Sequence, residues 1–71
     1  MGMTDTHRRI LTFIRQFIAI HSYSPSMREI QGACEICSTS MVSYHLGRLR
    51  HFGYLTYERG KPRTIVLTGR G

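Results

Sequence analysis

A mainly α fold closed by a small β-hairpin is predicted by two patterns in this 71-residue chain. Apolar residues recur at helical spacing in three stretches up to Phe52, and after Gly53 the period shortens to two. The length adds a third constraint. One domain with a small core is the ceiling, and a hydrophobic content of 41% suits a globular domain rather than a disordered tail.

The first helix is expected from about Asp5 to His21. Thr4 is its N-cap, and Asp5 suits a first turn, where a carboxylate meets the positive end of the helix dipole. Ile10, Ile14, Phe17, Ile18 and His21 fall on one stripe, widened by Leu11 and Phe13, and this stripe reads as core. Arg8, Arg9, Arg15 and Gln16 face out. The segment HSYSPS breaks the helix, because Pro25 biases Ser24 toward extended geometry, and a short strand can form around Tyr23. SMRE then fits a capping box, with Ser26 as N-cap and Glu29 three residues on. The second helix is short, about Met27 to Cys34, with Met27, Ile30, Ala33 and Cys34 as its apolar face, and CEICS is the turn after it.

The third helix, opened by Ser38, runs from about Thr39 to Phe52. Val42, Leu46 and Leu49 point inward at i, i+4 and i+7. Gly53 can take the left-handed conformation that ends a helix, with Tyr54 packing back on Leu49 as in a Schellman motif. YLTYE (54–58) and RTIVLT (63–68) read as strands with Leu55, Tyr57, Ile65 and Leu67 on one face. The turn RGKP between them carries Arg59, Lys61 and Arg63, and the tail GRG reads as loose. Helix, short helix, turn, longer helix, charged hairpin is the order of a winged helix-turn-helix. A two-stranded hairpin is barely stable alone, so it has to pack on the helices.

The chain carries a net charge of +6, and nine of its ten basic residues are arginine. The charge is uneven: residues 1–47 hold a net +1 and residues 48–71 a net +5. An Arg-rich half on a small domain fits a polyanion partner, and a solvated basic surface would look the same by charge alone. The N-terminus lacks the apolar core of a signal peptide and no apolar run is long enough to span a membrane, so a cytoplasmic location is expected.

The outer face of the third helix separates those two readings. With Val42 inward and about 100° per residue, Ser40, Ser43, Tyr44, Gly47, Arg48 and His51 lie outside, flanked by Met41. A face selected only for solubility is usually rich in Glu, Lys and Gln, whereas no acid occurs from Ser38 to Tyr57. In a helix-turn-helix the second helix enters the major groove with its N-terminal residues at the base edges. Hydroxyls suit several bases, methionine suits a thymine methyl, and Arg48 and His51 suit backbone oxygens. The free N–H groups near Thr39 can hold a phosphate. Arg59, Lys61 and Arg63 on the wing are placed to grip phosphates or to block strand-to-strand aggregation, and the two roles are compatible. Arg28 is a phosphate candidate or an ordinary exposed arginine.

At the level of residues, TDTHRRILTFIRQFIAIHSYSPSMREI followed by STSMVSYHLGRLRHFGYLTYERGKPRTIVL resembles the N-terminal DNA-binding domain of the LexA family of SOS-response repressors. The resemblance runs from Thr4 to about Leu67. Its marks are the opening threonine, YSPSMREI, Ser38, the pair His45-Leu46, and Leu49 spaced from Gly53. It implies double-stranded DNA as partner, a palindromic operator bound by a homodimer, repression of DNA-damage genes, and base contacts at Ser38, Ser40, Met41, Ser43 and Tyr44. Family patterns with Asn and Glu on this helix differ from Ser40, Ser43 and Tyr44 here, which implies a different operator. Nothing matches the self-cleaving second domain of such repressors. A single winged domain over 1–71, ordered from about 4 to 68, is therefore expected, either a fragment or a stand-alone relative. The break after TGRG favours a fragment.

Other chemistries are weaker. Cys34 and Cys37 form a CxxC, but a structural zinc needs two more ligands, and neither a second CxxC nor an HxxxH pair is present. A reduced cytosol argues against a disulfide. His45, beside the inward stripe, can bond the backbone, and His21 suits the negative end of the first helix. No Ser/His/Asp set has reason to converge, so neither an enzyme nor a cofactor is expected. The alternatives kept are a winged-helix protein-interaction module and a thiol- or metal-responsive regulator using Cys34 and Cys37.

Overall fold

The computed structural model describes residues 5–69. Helix α1 spans Asp5–His21, α2 Met27–Cys34 and α3 Thr39–His51, followed by strands β1 (Leu55–Thr56) and β2 (Val66–Leu67). The strands are antiparallel, with Leu55 opposite Leu67 and Thr56 opposite Val66. This is the winged helix-turn-helix that the residue pattern predicts. The expected cap at Thr4 and the end of the tail lie outside the described residues. No helix among the described residues is long and apolar enough to cross a membrane.

The helix boundaries follow from local chemistry. The Ser26 hydroxyl accepts from the Glu29 N–H at 3.2 Å while a Glu29 carboxylate oxygen accepts from the Ser26 N–H at 2.8 Å, which closes the capping box. Ser38 caps α3 by accepting from the Met41 N–H at 3.2 Å. At the other end of α3, Gly53 has φ 84°. Its N–H bonds the Arg50 carbonyl and the Tyr54 N–H bonds the Leu49 carbonyl, the paired bonds of a Schellman motif. Glu35 (φ 55°) fills the corresponding left-handed position after α2 without being glycine.

Ile10, Leu11 and Ile14 from α1, Ile30 and Cys34 from α2, and Val42, Leu46 and Leu49 from α3 form one buried cluster, which Leu55 and Ile65 extend beneath the hairpin. The inward stripes of the sequence are therefore largely the core, with two corrections. His21 is exposed at the end of α1, where it stacks 4.2 Å from Phe17, because the helix has by then run past its neighbours. Ala33 is exposed as well, since α2 buries only the Ile30–Cys34 edge.

The hairpin is less regular than its alternating pattern suggests. Each strand is two residues long instead of five or six. The rest of the wing is held by side chains: the Glu58 N–H donates to the Thr64 hydroxyl at 3.0 Å, and that hydroxyl faces the Lys61 carbonyl at 3.1 Å. No strand forms at Tyr23. Instead the buried Ser24 hydroxyl accepts from the Ile65 N–H at 3.3 Å and supplies the bond a third strand would have made.

Candidate nucleic-acid interface

Helix α3 turns Val42, Leu46 and Leu49 into the core and thereby fixes what faces out. Ser40, Ser43, Tyr44 and Arg48 line one open concavity of about 680 Å³ together with Gly47, Arg50, His51, Tyr57 and Arg59. Ser40 and Tyr44 are exposed, Tyr44 at 57%. Met41 is exposed at the edge, and Ser38 is half-buried with its hydroxyl committed to the cap. The Arg48 guanidinium lies 5.0 Å over the Phe52 ring, which orients it along the helix. No carboxylate lines this surface.

The other predicted residues form a second cluster. Arg28, Thr39, Lys61 and Arg63 line a concavity of about 430 Å³ between the start of α2 and the wing, with Pro25, Met27, Leu46 and Ile65 as its apolar floor. Tyr57 lines both concavities and divides them. The basic wing thus splits, with Arg59 on the α3 side and Lys61 and Arg63 on the α2 side.

Arg63 has a partner set the sequence did not announce. Its φ is 59°, and its guanidinium donates to both Glu29 carboxylate oxygens, at 3.0 and 3.4 Å. It also donates to the Ser24 carbonyl at 3.1 Å and lies 4.9 Å over the Tyr23 ring. The Ser26 N–H first, and Arg63 second, hold the Glu29 carboxyl below the usual carboxylate range. Lys61 pairs with Glu58 at 3.3 Å. Arg28, Arg48, Arg50 and Arg59 have no ion-pair partner among the described residues.

His45 bonds another side chain rather than the backbone. Its Nδ1 is 3.1 Å from Nε2 of His7, which is buried on α1. Burial, and then the neighbouring His7, push the His45 imidazole below its ordinary value. Cys34 is buried, and that burial raises its thiol, with Arg9 opposing the shift. Cys37 is exposed. Among the described residues no three His, Cys, Asp or Glu groups come together as a metal site.

Sequence reasoning missed three residues here. Arg50 lies at the flank of the helical wheel, Tyr57 reads as an inward strand residue, and His7 sits between Thr6 and Arg8, outside the apolar stripe. The packing of α3 against the wing brings Arg50 and Tyr57 to this surface, and the packing of α3 on α1 sets His7 behind it, against His45.

A short first helix of a pair, a longer second one with an acid-free hydroxyl and arginine face, and a hairpin beside it define a winged helix-turn-helix DNA-binding domain. The family model described as the LexA DNA binding domain matches residues 1–64. A LexA repressor of Limosilactobacillus fermentum is 40% identical over 68 residues, covering 96% of this chain and 33% of the relative. One of Corynebacterium jeikeium is 44% identical over 64 residues (90% and 24%), and one of Mycobacterium leprae 38% identical over 68 residues (96% and 29%). The chain belongs to the LexA DNA-binding domain family. It spans about a quarter to a third of the length of these relatives.

Proposed function

We propose that this chain is the operator-reading domain of a LexA-type repressor. It binds a specific double-stranded sequence in the cytoplasm and makes or breaks no covalent bond itself. The carrying observation is the α3 surface, where hydroxyls, an exposed tyrosine and three arginines share one concavity without a carboxylate. Ser40, Met41, Ser43 and Tyr44 read base edges in the major groove. Ser38 and Thr39 at the helix start, with Arg48, Arg59, Lys61 and Arg28, fix register on phosphates. Arg63 serves this interface chiefly by holding the wing. A palindromic operator engaged by two copies raises affinity through a second, effectively intramolecular contact, and repression of DNA-damage genes follows from occupancy of that operator.

Selection of bound duplexes from a random DNA library, repeated at two salt concentrations, tests this reading. A palindromic motif surviving the higher salt supports it. Enrichment without a motif that vanishes as salt rises reduces the activity to charge attraction. Tyr44→Ala is expected to change the recovered motif. An unchanged motif places base reading elsewhere.

A further inference from the structure

The seam between α3 and the wing holds two side chains with no assigned role. Arg50 stacks its guanidinium 5.3 Å over the Tyr57 ring. Neither that guanidinium nor the Tyr57 hydroxyl hydrogen-bonds another described residue, and both border the concavity that Ser40, Tyr44 and Arg48 also line. The stacking fixes two otherwise mobile groups side by side, a cation and a neutral donor aimed at one space. Gly47 lies against the same space. A Cβ built there would meet only the Tyr57 hydroxyl oxygen, at 3.8 Å, an ordinary contact distance. Alanine would therefore fit the protein and suit a helix interior better, so packing alone gives no reason for a glycine. What glycine leaves is open approach to the hydroxyl and the guanidinium.

Resting on the DNA reading above, we infer that Arg50 and the Tyr57 hydroxyl together hold a single DNA phosphate at this seam, with Gly47 leaving room for it. The tyrosine donates its O–H to one phosphate oxygen and the guanidinium donates to another. The bound phosphate sits between the base-reading residues of α3 and Arg59 of the wing. Because it lies on the seam, this contact sets how deep α3 enters the groove relative to the wing. Arg50 and Tyr57 are thus positioning residues that bear on every sequence equally.

The test is titration of the motif-bearing duplex recovered by selection, and of a duplex of unrelated sequence, over a range of salt. Arg50→Ala, Tyr57→Phe, the double variant and Arg48→Ala are compared with wild type, with thermal unfolding reporting an intact fold. Arg50→Ala is expected to weaken both duplexes by a similar factor, about threefold to tenfold, and to flatten the log–log salt slope by about 0.9. Tyr57→Phe is expected to weaken both about twofold to fivefold with the slope unchanged, since it removes a donor and no charge. The double variant loses less than the product of the two, because one phosphate is shared. Wild-type binding by Arg50→Ala and Tyr57→Phe, while Arg48→Ala weakens binding, overturns this inference and leaves the DNA reading standing. Multiplying effects in the double variant overturn the shared phosphate. If Arg48→Ala is also silent and no duplex is preferred, the DNA reading itself fails.

Discussion

The two sides of the wing have the same kind of charge and use it differently. Toward α2, Arg63 is bound to Glu29 and the Ser24 carbonyl, and Lys61 to Glu58. Toward α3, Arg48, Arg50 and Arg59 have aromatic rings or open space beside them, no ion-pair partner among the described residues, and no acid lining their concavity. Arg63, neutralised by Glu29 and bonded to the Ser24 carbonyl, holds the wing to the start of α2. A cation stacked on a ring keeps its charge for a partner. Formal net charge counts the two sides alike and so overstates one of them.

Both sides stand on one core, and the largest expected effect comes from removing that support. Leu49→Ala leaves a cavity beneath α3 and is expected to cost about 2–5 kcal/mol. A domain of this length has only about 0.05–0.15 kcal/mol per residue in hand. Urea unfolding reads this directly, and a wild-type midpoint would mean that the two sides do not share their support.

The next pair of variants separates the sides. Arg48→Ala is expected to weaken duplex binding about threefold to tenfold while stability moves by less than about 0.5 kcal/mol. Arg63→Ala should do the reverse. It loses the Tyr23 stacking and the Ser24 carbonyl bond, together about 1 kcal/mol, with little change in salt slope. Equal effects of the two variants on both readouts would erase the distinction.

Acid should loosen the structure in two separate windows. The His45 imidazole is held below its ordinary value of 6.5, so the unfolded chain binds the proton more readily. Stability is full above that value and falls as the pH drops through it toward the lowered one. The Glu29 carboxyl is held below its ordinary value of 4.5, so its contribution is present above that value and is lost as the pH falls below it. His7→Gln replaces one imidazole by an amide that never titrates and should shrink the first window only. Denaturation midpoints measured from about pH 8 to pH 3 would show it. Loss of both windows in that variant would couple the two regions.

The smallest effect is expected from Glu58→Gln. The Lys61–Glu58 pair is mostly exposed, with side chains at 71% and 65%, and contributes little to stability. Freeing Lys61 should raise duplex affinity about twofold at low salt, read from the same titrations. Unchanged affinity would place Lys61 away from any phosphate.

How much of this was legible beforehand depends on sequence separation. The α2 capping box joins residues three apart, and the Schellman end of α3 joins residues no more than five apart. Both are written in adjacent letters, and both were readable. The outward face of α3 was readable because one inward residue, Val42, sets the rest by periodicity. Arg63 with Glu29 and His7 with His45 are separated by 34 and 38 residues. No periodicity carries such a pair, because it exists only after the helices pack. The hairpin ladder is shorter than its alternation for a related reason. Alternation reports which side chains face inward, and Leu55, Tyr57, Ile65 and Leu67 do so to different degrees, but it does not report whether the backbone ladder continues.

Glu29 receives the Ser26 N–H with the same carboxylate oxygen that receives an Arg63 N–H. One side chain thus belongs to the beginning of α2 and to the far end of the wing. Any inherited change at this position is pleiotropic by construction. It alters where a helix starts and where a hairpin rests in a single step, so variants that retune the wing alone have to arise at other positions.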